Sequence, residues 1–179
     1  MTHARRSAGE TTKQATKLLQ AAGITKAPVN VEALAQRVGA SVSYEVFKED
    51  LSGVLVKERG RVVIGVNSFH ATTRQRFTIA HEIGHLVLGH QGDVFVDRTV
   101  MRRDARSAEA TDPHEIEANQ FAAELLMPKE FVVAAIARWQ ARRPEISSGT
   151  LVDELASLFQ VSPQAMEYRL TNLGMFMPR

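Results

Sequence analysis

Cysteine is absent from this 179-residue sequence, which removes disulfide frameworks and thiolate zinc sites from the readings open to it. Long apolar runs are missing too. None approaches the roughly 20 residues that a bilayer-spanning helix needs, so no membrane association is expected. The opening MTHARRSAGETTKQ lacks the apolar centre of a signal peptide, and a cytoplasmic location is expected. Net charge is small, +2, too little to demand a nucleic-acid partner. The charges are nonetheless uneven: RTVMRRDAR, from Arg98 to Arg106, sets four arginines against Asp104, whereas Glu109 to Glu130 holds six carboxylates against Lys129. Both runs read first as solvated faces, although the arginine run could also recognise an acidic partner surface.

What is present is ordinary for a water-exposed globular protein, 44% hydrophobic and 23% charged, with length for one core and a small appendage. TTKQATKLLQAAG reads as a helix begun by a threonine and stopped at Gly23. PVNVEALAQRVGA repeats that grammar between Asn30 and Gly39. The period then shortens: SVSYEVF, GVLVKE and RVVIGV are β-branched and separated by turns at Lys48 to Ser52 and at Arg59-Gly60, which predicts a small antiparallel sheet. A helix follows from about Thr72 to Gly89, then a polar connection from about Gln91 to Thr111. Asp112 and Pro113 open another helix, Pro128 breaks it and opens the next, and two short helices meet at QVSP near the C-terminus. The expected fold class is α+β. Its expected parts are a helical extension over residues 1–27, a core over 28–143 and a C-terminal helical unit over 144–179.

RFTIAHEIGHLVLGH, from Arg76 to His90, carries the chemistry. Residues four apart share a helix face, so His81 and His85 can direct imidazole nitrogens at one point. Neutral imidazole suits zinc, and a catalytic site uses three protein ligands with water in the fourth position. Glu82, about 100° round the helix, can face that water as a general base without binding the metal. The competing reading makes the histidines core residues. A helix this apolar would then bury His-Glu-His without partners, which is costly, and Gly84 implies that something approaches closely.

A third ligand is expected from PHEIEANQFAAELLMP. Glu115 shares a face with Ala118, Asn119 and Ala122, small neighbours that admit a second helix, whereas Glu117 shares one with Gln120, Phe121 and Glu124 and reads as solvated. Glu115 is therefore the expected ligand, against a competing capping box with Asp112. Asn119 is placed to hydrogen-bond the free ring nitrogen of a ligating histidine. His70, His90 and His114 read as surface residues, and Tyr44, His90, His114 and Tyr168 are candidates for stabilising an oxyanion on chemistry alone.

RQRFTIAHEIGHLVLGH followed by EIEANQFAAELLMP resembles the ImmA/IrrE family of zinc metallopeptidases, in both motifs and in their order. The resemblance implies a zincin-type helical core with one Zn2+ per chain, His81, His85 and Glu115 as ligands and Glu82 as catalytic base. It also implies an intracellular, site-specific endopeptidase that cleaves a helix-turn-helix repressor and relieves repression of stress-response or mobile-element genes. Ending at Arg179, the sequence looks like the short form, without a GAF-type sensor. VDELASLFQVSPQAMEYRL is similar to the family's helix-turn-helix-like unit, yet Arg169 is its one basic side chain, so packing or partner contact is expected over DNA binding. The alternatives are a DNA- or protein-binding regulator with a structural or degenerate metal site, and a small-molecule metallohydrolase. Oligomeric state is not legible.

Overall fold

A computed structural model describes residues 7–48, 50–98, 112–142 and 148–175. Over these the chain runs α1 (Ala8–Ala21), α2 (Val31–Arg37), β1 (Ala40–Glu45), β2 (Leu51–Glu58), β3 (Arg61–Asn67), α3 (Thr72–Val87), β4 (Val94–Arg98), α4 (Pro113–Leu126), α5 (Lys129–Arg142), α6 (Ser148–Phe159) and α7 (Pro163–Asn172). Seven helices and one sheet among the described residues make the fold α+β. None of these helices is long and apolar enough to cross a membrane.

Local signals set most helix ends. Asn30 Oδ1 accepts from the Ala33 amide at 2.9 Å, Asp112 Oδ1 from the His114 amide at 2.8 Å, and Ser162 Oγ from the Ala165 amide at 3.1 Å. The first helix begins earlier than its threonines suggest. Ser7 is its N-cap, and Thr11 is instead fully buried one turn in.

The sheet departs from the all-antiparallel expectation. Its order is β1-β3-β2-β4, with β1 and β3 parallel and the other two pairings antiparallel. β2 and β3 form the hairpin expected at Arg59-Gly60, where φ values of 49° and 77° match a tight two-residue turn. The chain reverses twice between β1 and β3, so they share a direction. β3 and β2 take the two inner positions, and Ile64 and Val66 supply the fully buried apolar side chains of β3. The fourth strand lies inside the segment expected to be a connection. Val94, Phe95 and Val96 pair with Val56, Leu55 and Val54. The arginine run beyond Arg98 lies outside the described residues.

α3 packs over β2 and β3, α4 against α3, and α1 against α4. One apolar cluster joins Leu19 of α1, Leu34 of α2, Leu55 and Ile64 of the sheet, Ile79 and Ile83 of α3, Phe121 and Leu125 of α4, and Leu155, Phe159 and Leu170 of α6 and α7. Arg76 ties its margin together, donating to the backbone oxygens of Val29 (2.9 Å) and Gln160 (3.1 Å).

Candidate metal centre

The centre forms where α3 and α4 touch. Gly84 lies one residue before His85, and a Cβ there would stand 3.2 Å from Ala118 Cα and 3.3 Å from Ala118 O. Glycine thus lets the two backbones approach, on a helix whose residues from Thr78 to His85 are all buried. Asp112 and Pro113 start α4 so that Glu115 falls in its first turn, beside His81 and His85. The Nε2 atoms of the two histidines are 3.0 Å apart. Glu115 Oε2 lies 3.1 Å from His81 Nε2, and Oε1 lies 3.3 Å from His85 Nε2.

These separations suit one cation. Ligands at about 2.0 to 2.1 Å from a tetrahedral zinc stand roughly 3.4 Å from each other, close to the three distances observed. His81, His85 and Glu115 form a cluster whose donor atoms all lie within 4.8 Å of one another. Asn119 Oδ1 stands 3.1 Å from His81 Nδ1. A hydrogen bond donated there by Nδ1–H leaves a lone pair on Nε2, facing the centre. Burial opposes charge on His81, but Glu115, Glu82 and Asp97 outweigh it and raise its pKa. Burial lowers that of His85. Burial likewise opposes the Glu115 charge, yet hydrogen bonds with both imidazoles hold its carboxyl well below the usual range. Its side chain is 24% exposed, so the centre opens to solvent on the α4 side.

Glu82 is fully buried, and neither carboxylate oxygen has a hydrogen-bond partner among the described residues. β2 presses close above it: a Cβ on Gly53 would stand 3.6 Å from Glu82 Oε1 and 2.3 Å from Thr78 Cγ2. Burial pushes the Glu82 carboxyl up to about 8; His81 pulls it down, while Asp97 and Glu115 raise it further. Asp97 comes from β4, where it accepts from Thr78 Oγ1 at 3.3 Å and lies 3.7 Å from Arg74 Nη2. The neighbouring Phe95 ring sits 4.5 Å from that of His85. The strand hidden in the expected connection therefore walls the centre.

Two residues read as solvated are buried behind it. Glu117 and His90 are each 3% exposed. His90 Nδ1 is 2.9 Å from His85 Nδ1, and His90 Nε2 is 3.3 Å from Glu117 Oε2. The face of α4 that meets α3 is centred on Ala118, so Glu115 and Glu117 flank it on opposite sides and both reach histidines. Phe121, on the face expected to be solvated, is fully buried. The missed signal is Gly89-His90. With Gly89 at φ 66°, its amide bonds Leu86 O and the His90 amide bonds His85 O, both at 3.1 Å, a helix ending that folds the next residue back onto the last turn. Burial pushes the His90 imidazole down to about 4, so it is neutral.

Of the remaining polar candidates, His114 lies against the centre and the others lie elsewhere. Tyr44 donates to Glu32 Oε1 at 2.9 Å, and its hydroxyl is pushed up to about 12, first by burial and then by that carboxylate. His114 stacks on His90 with ring centres 4.3 Å apart, and His70 is half-buried. Tyr168, 69% exposed, lines a cavity of about 710 Å³ that also includes Asn119.

Residues 32–171 match the family model described as the IrrE N-terminal-like domain, Peptidase_M78. The chain is 34% identical over 110 residues to the radiation response metalloprotease IrrE of Deinococcus radiodurans, a stretch covering 61% of this chain and 30% of that protein's length. Its fold is similar to that of a Mycobacterium tuberculosis transcriptional regulator, with a TM-score of 0.60 at 18% identity over 91% of this chain and 46% of that one.

Proposed function

This chain belongs to the ImmA/IrrE family of metallopeptidases, and on that premise we propose that it is a zinc-dependent endopeptidase whose substrate is a helix-turn-helix transcriptional repressor. One observation carries the reading: three donor atoms of His81, His85 and Glu115 converge beside a buried, unpartnered carboxylate on Glu82. His81, His85 and Glu115 hold the metal, and Asn119 orients His81. When bound, zinc supplies Lewis-acid polarisation of a peptide carbonyl and of the attacking water. Glu82 would take a proton from the attacking water and return it to the departing amine. Burial pushes the metal-free carboxyl up to about 8, and the charge of a bound cation beside it would draw it back toward the ionised form that a general base needs. A structural zinc site would be closed and would need no such base.

A peptide substrate is favoured over a small molecule by the position of β4. It pairs with β2 on one side, has no other strand partner among the described residues, and presents Phe95 to His85. An extended chain laid along such an edge is held by its backbone beside the centre. DNA binding by α6 and α7 is disfavoured, because Arg169 is committed to Glu124 at 2.8 and 2.6 Å and to Met127 O at 2.9 Å. The proposal retains a zincin-type core over residues 28–143, an extension over 1–27 and a helix-turn-helix-like packing unit over 144–179. Incubating the zinc-loaded protein with a helix-turn-helix repressor encoded beside its gene should yield two discrete fragments. No cleavage by the wild type, or equal cleavage by Glu82→Gln, would overturn this reading.

A further inference from the structure

Behind the proposed ligands, three buried side chains form one line from His85 through His90 to Glu117. We propose that His90 and Glu117 are positioning residues that set the tautomer and the ring angle of His85, so that its Nε2 lone pair faces the metal. This rests on the reading that His81, His85 and Glu115 hold zinc.

With Glu117 ionised, hydrogen-bond polarity along the line runs in one direction. An ionised Glu117 can only accept, so His90 must carry its proton on Nε2 to fill the 3.3 Å contact. A neutral imidazole with its proton there offers a lone pair at Nδ1. That lone pair, 2.9 Å from His85 Nδ1, accepts only if His85 carries its own proton on Nδ1. His85 Nε2 is then left unprotonated, 3.3 Å from Glu115 Oε1. With the opposite polarity, His90 would donate to His85 Nδ1, and the proton would move to Nε2 and occupy the ligating lone pair. His81 has a simpler version of this support, one amide on Asn119. His85 has a two-link version in which the carboxylate acts through an imidazole.

The backbone holds the line in place. The left-handed turn at Gly89 fixes His90 under His85 by the bond from the His90 amide to His85 O. Lys57 Nζ donates to His90 O at 3.2 Å. The His114 ring stacks on His90, and the Phe95 ring lies against His85. With both rings packed, tautomer choice falls to hydrogen bonding.

Zinc affinity, measured by competition with a chromophoric chelator on the full chain, tests this without reference to activity. His90→Phe keeps the ring and removes both nitrogens, and should weaken zinc binding roughly ten- to a hundredfold. His90→Gln, whose amide can accept from His85 and donate to Glu117, should restore affinity to within about threefold of wild type. Glu117→Leu should weaken binding as His90→Phe does, and serves if the phenylalanine variant does not fold. The proposal is overturned if His90→Phe and Glu117→Leu bind zinc as the wild type does. It is equally overturned if His90→Gln loses as much as His90→Phe at similar metal-free melting temperature, since the pocket's shape would then matter and its protons would not. A wild type that binds no zinc, or a His81→Ala variant that binds it normally, would sink the metal centre itself and this inference with it.

Discussion

Replacing Glu82 by glutamine should make the metal-free protein more stable while removing its activity. Glu82 is fully buried with both oxygens unpartnered, and its carboxyl moves from the ordinary 4.5 up to about 8. Between those values the native state holds a proton that the unfolded chain has released. Wild-type stability therefore falls as pH rises through that window, and the loss ends above the folded value. At pH 7, about 2.5 pH units above the unfolded value, the cost is about 3 kcal/mol at 1.36 kcal/mol per unit. Glutamine has the same shape and no such cost, although its second amide hydrogen, unsatisfied in the same pocket, takes back about 1 kcal/mol. The net expectation for metal-free Glu82→Gln is a gain of about 2 kcal/mol at pH 7 and a loss of about 1 kcal/mol near pH 4, where only the unsatisfied amide hydrogen counts. Urea melts of chelator-treated protein at pH 5, 6, 7 and 8 measure it as a midpoint difference that widens with pH. With zinc added, the variant should bind the metal like the wild type and cleave about 10² to 10⁴ times more slowly. A variant less stable than wild type at pH 7, or a difference that ignores pH, would refute this account of Glu82.

The other expectations concern the centre and its supports. His81→Ala and His85→Ala should each abolish tight zinc binding by equilibrium dialysis, and Glu115→Gln should weaken it by at least about tenfold, whereas Glu117→Gln, which keeps an acceptor for His90, should cost little. Gly84→Ala gains about 1 kcal/mol of helix propensity but sets a methyl against the Ala118 backbone, which cannot rotate aside. It should lower both melting temperature and zinc affinity, because α4 must shift as a body and carries Glu115 with it. Arg169→Met should destabilise by roughly 3 kcal/mol in denaturant melts, since it strands Glu124 and the Met127 carbonyl at the joint between α4 and α7. An unchanged midpoint would show that this pair is not what anchors α7.

Helical periodicity was enough to bring His81 and His85 together, because residues four apart meet within one helix whatever surrounds it. Capping chemistry is equally local, and Asn30, Asp112 and Ser162 stand at the helix starts their side chains imply. Glycine at 84 announced a close neighbour, and the neighbour is Ala118. Helical angles also put Glu115 on the face it shares with Ala118, and its carboxylate stands 3.1 and 3.3 Å from the two imidazoles.

What the residues alone could not decide is what lies across a gap in the chain. β1 pairs parallel with β3 and β4 adds an edge because strand pairing depends on which distant segment arrives alongside, and VFVDR carries no sign of its partner. The solvated reading of Glu117 failed for the same reason: a helix packed by α1 on one side and α3 on another has too little surface left for each polar residue to face water. Burial of Glu82 beneath Gly53, and with it the displaced proton equilibrium, exists only once β2 lies over α3. The sequence by itself determined which imidazoles and carboxylates share a helix face. Tertiary packing decided how dry, how close and how firmly oriented those groups are, because desolvation and hydrogen-bond polarity belong to the space between elements and not to any one of them.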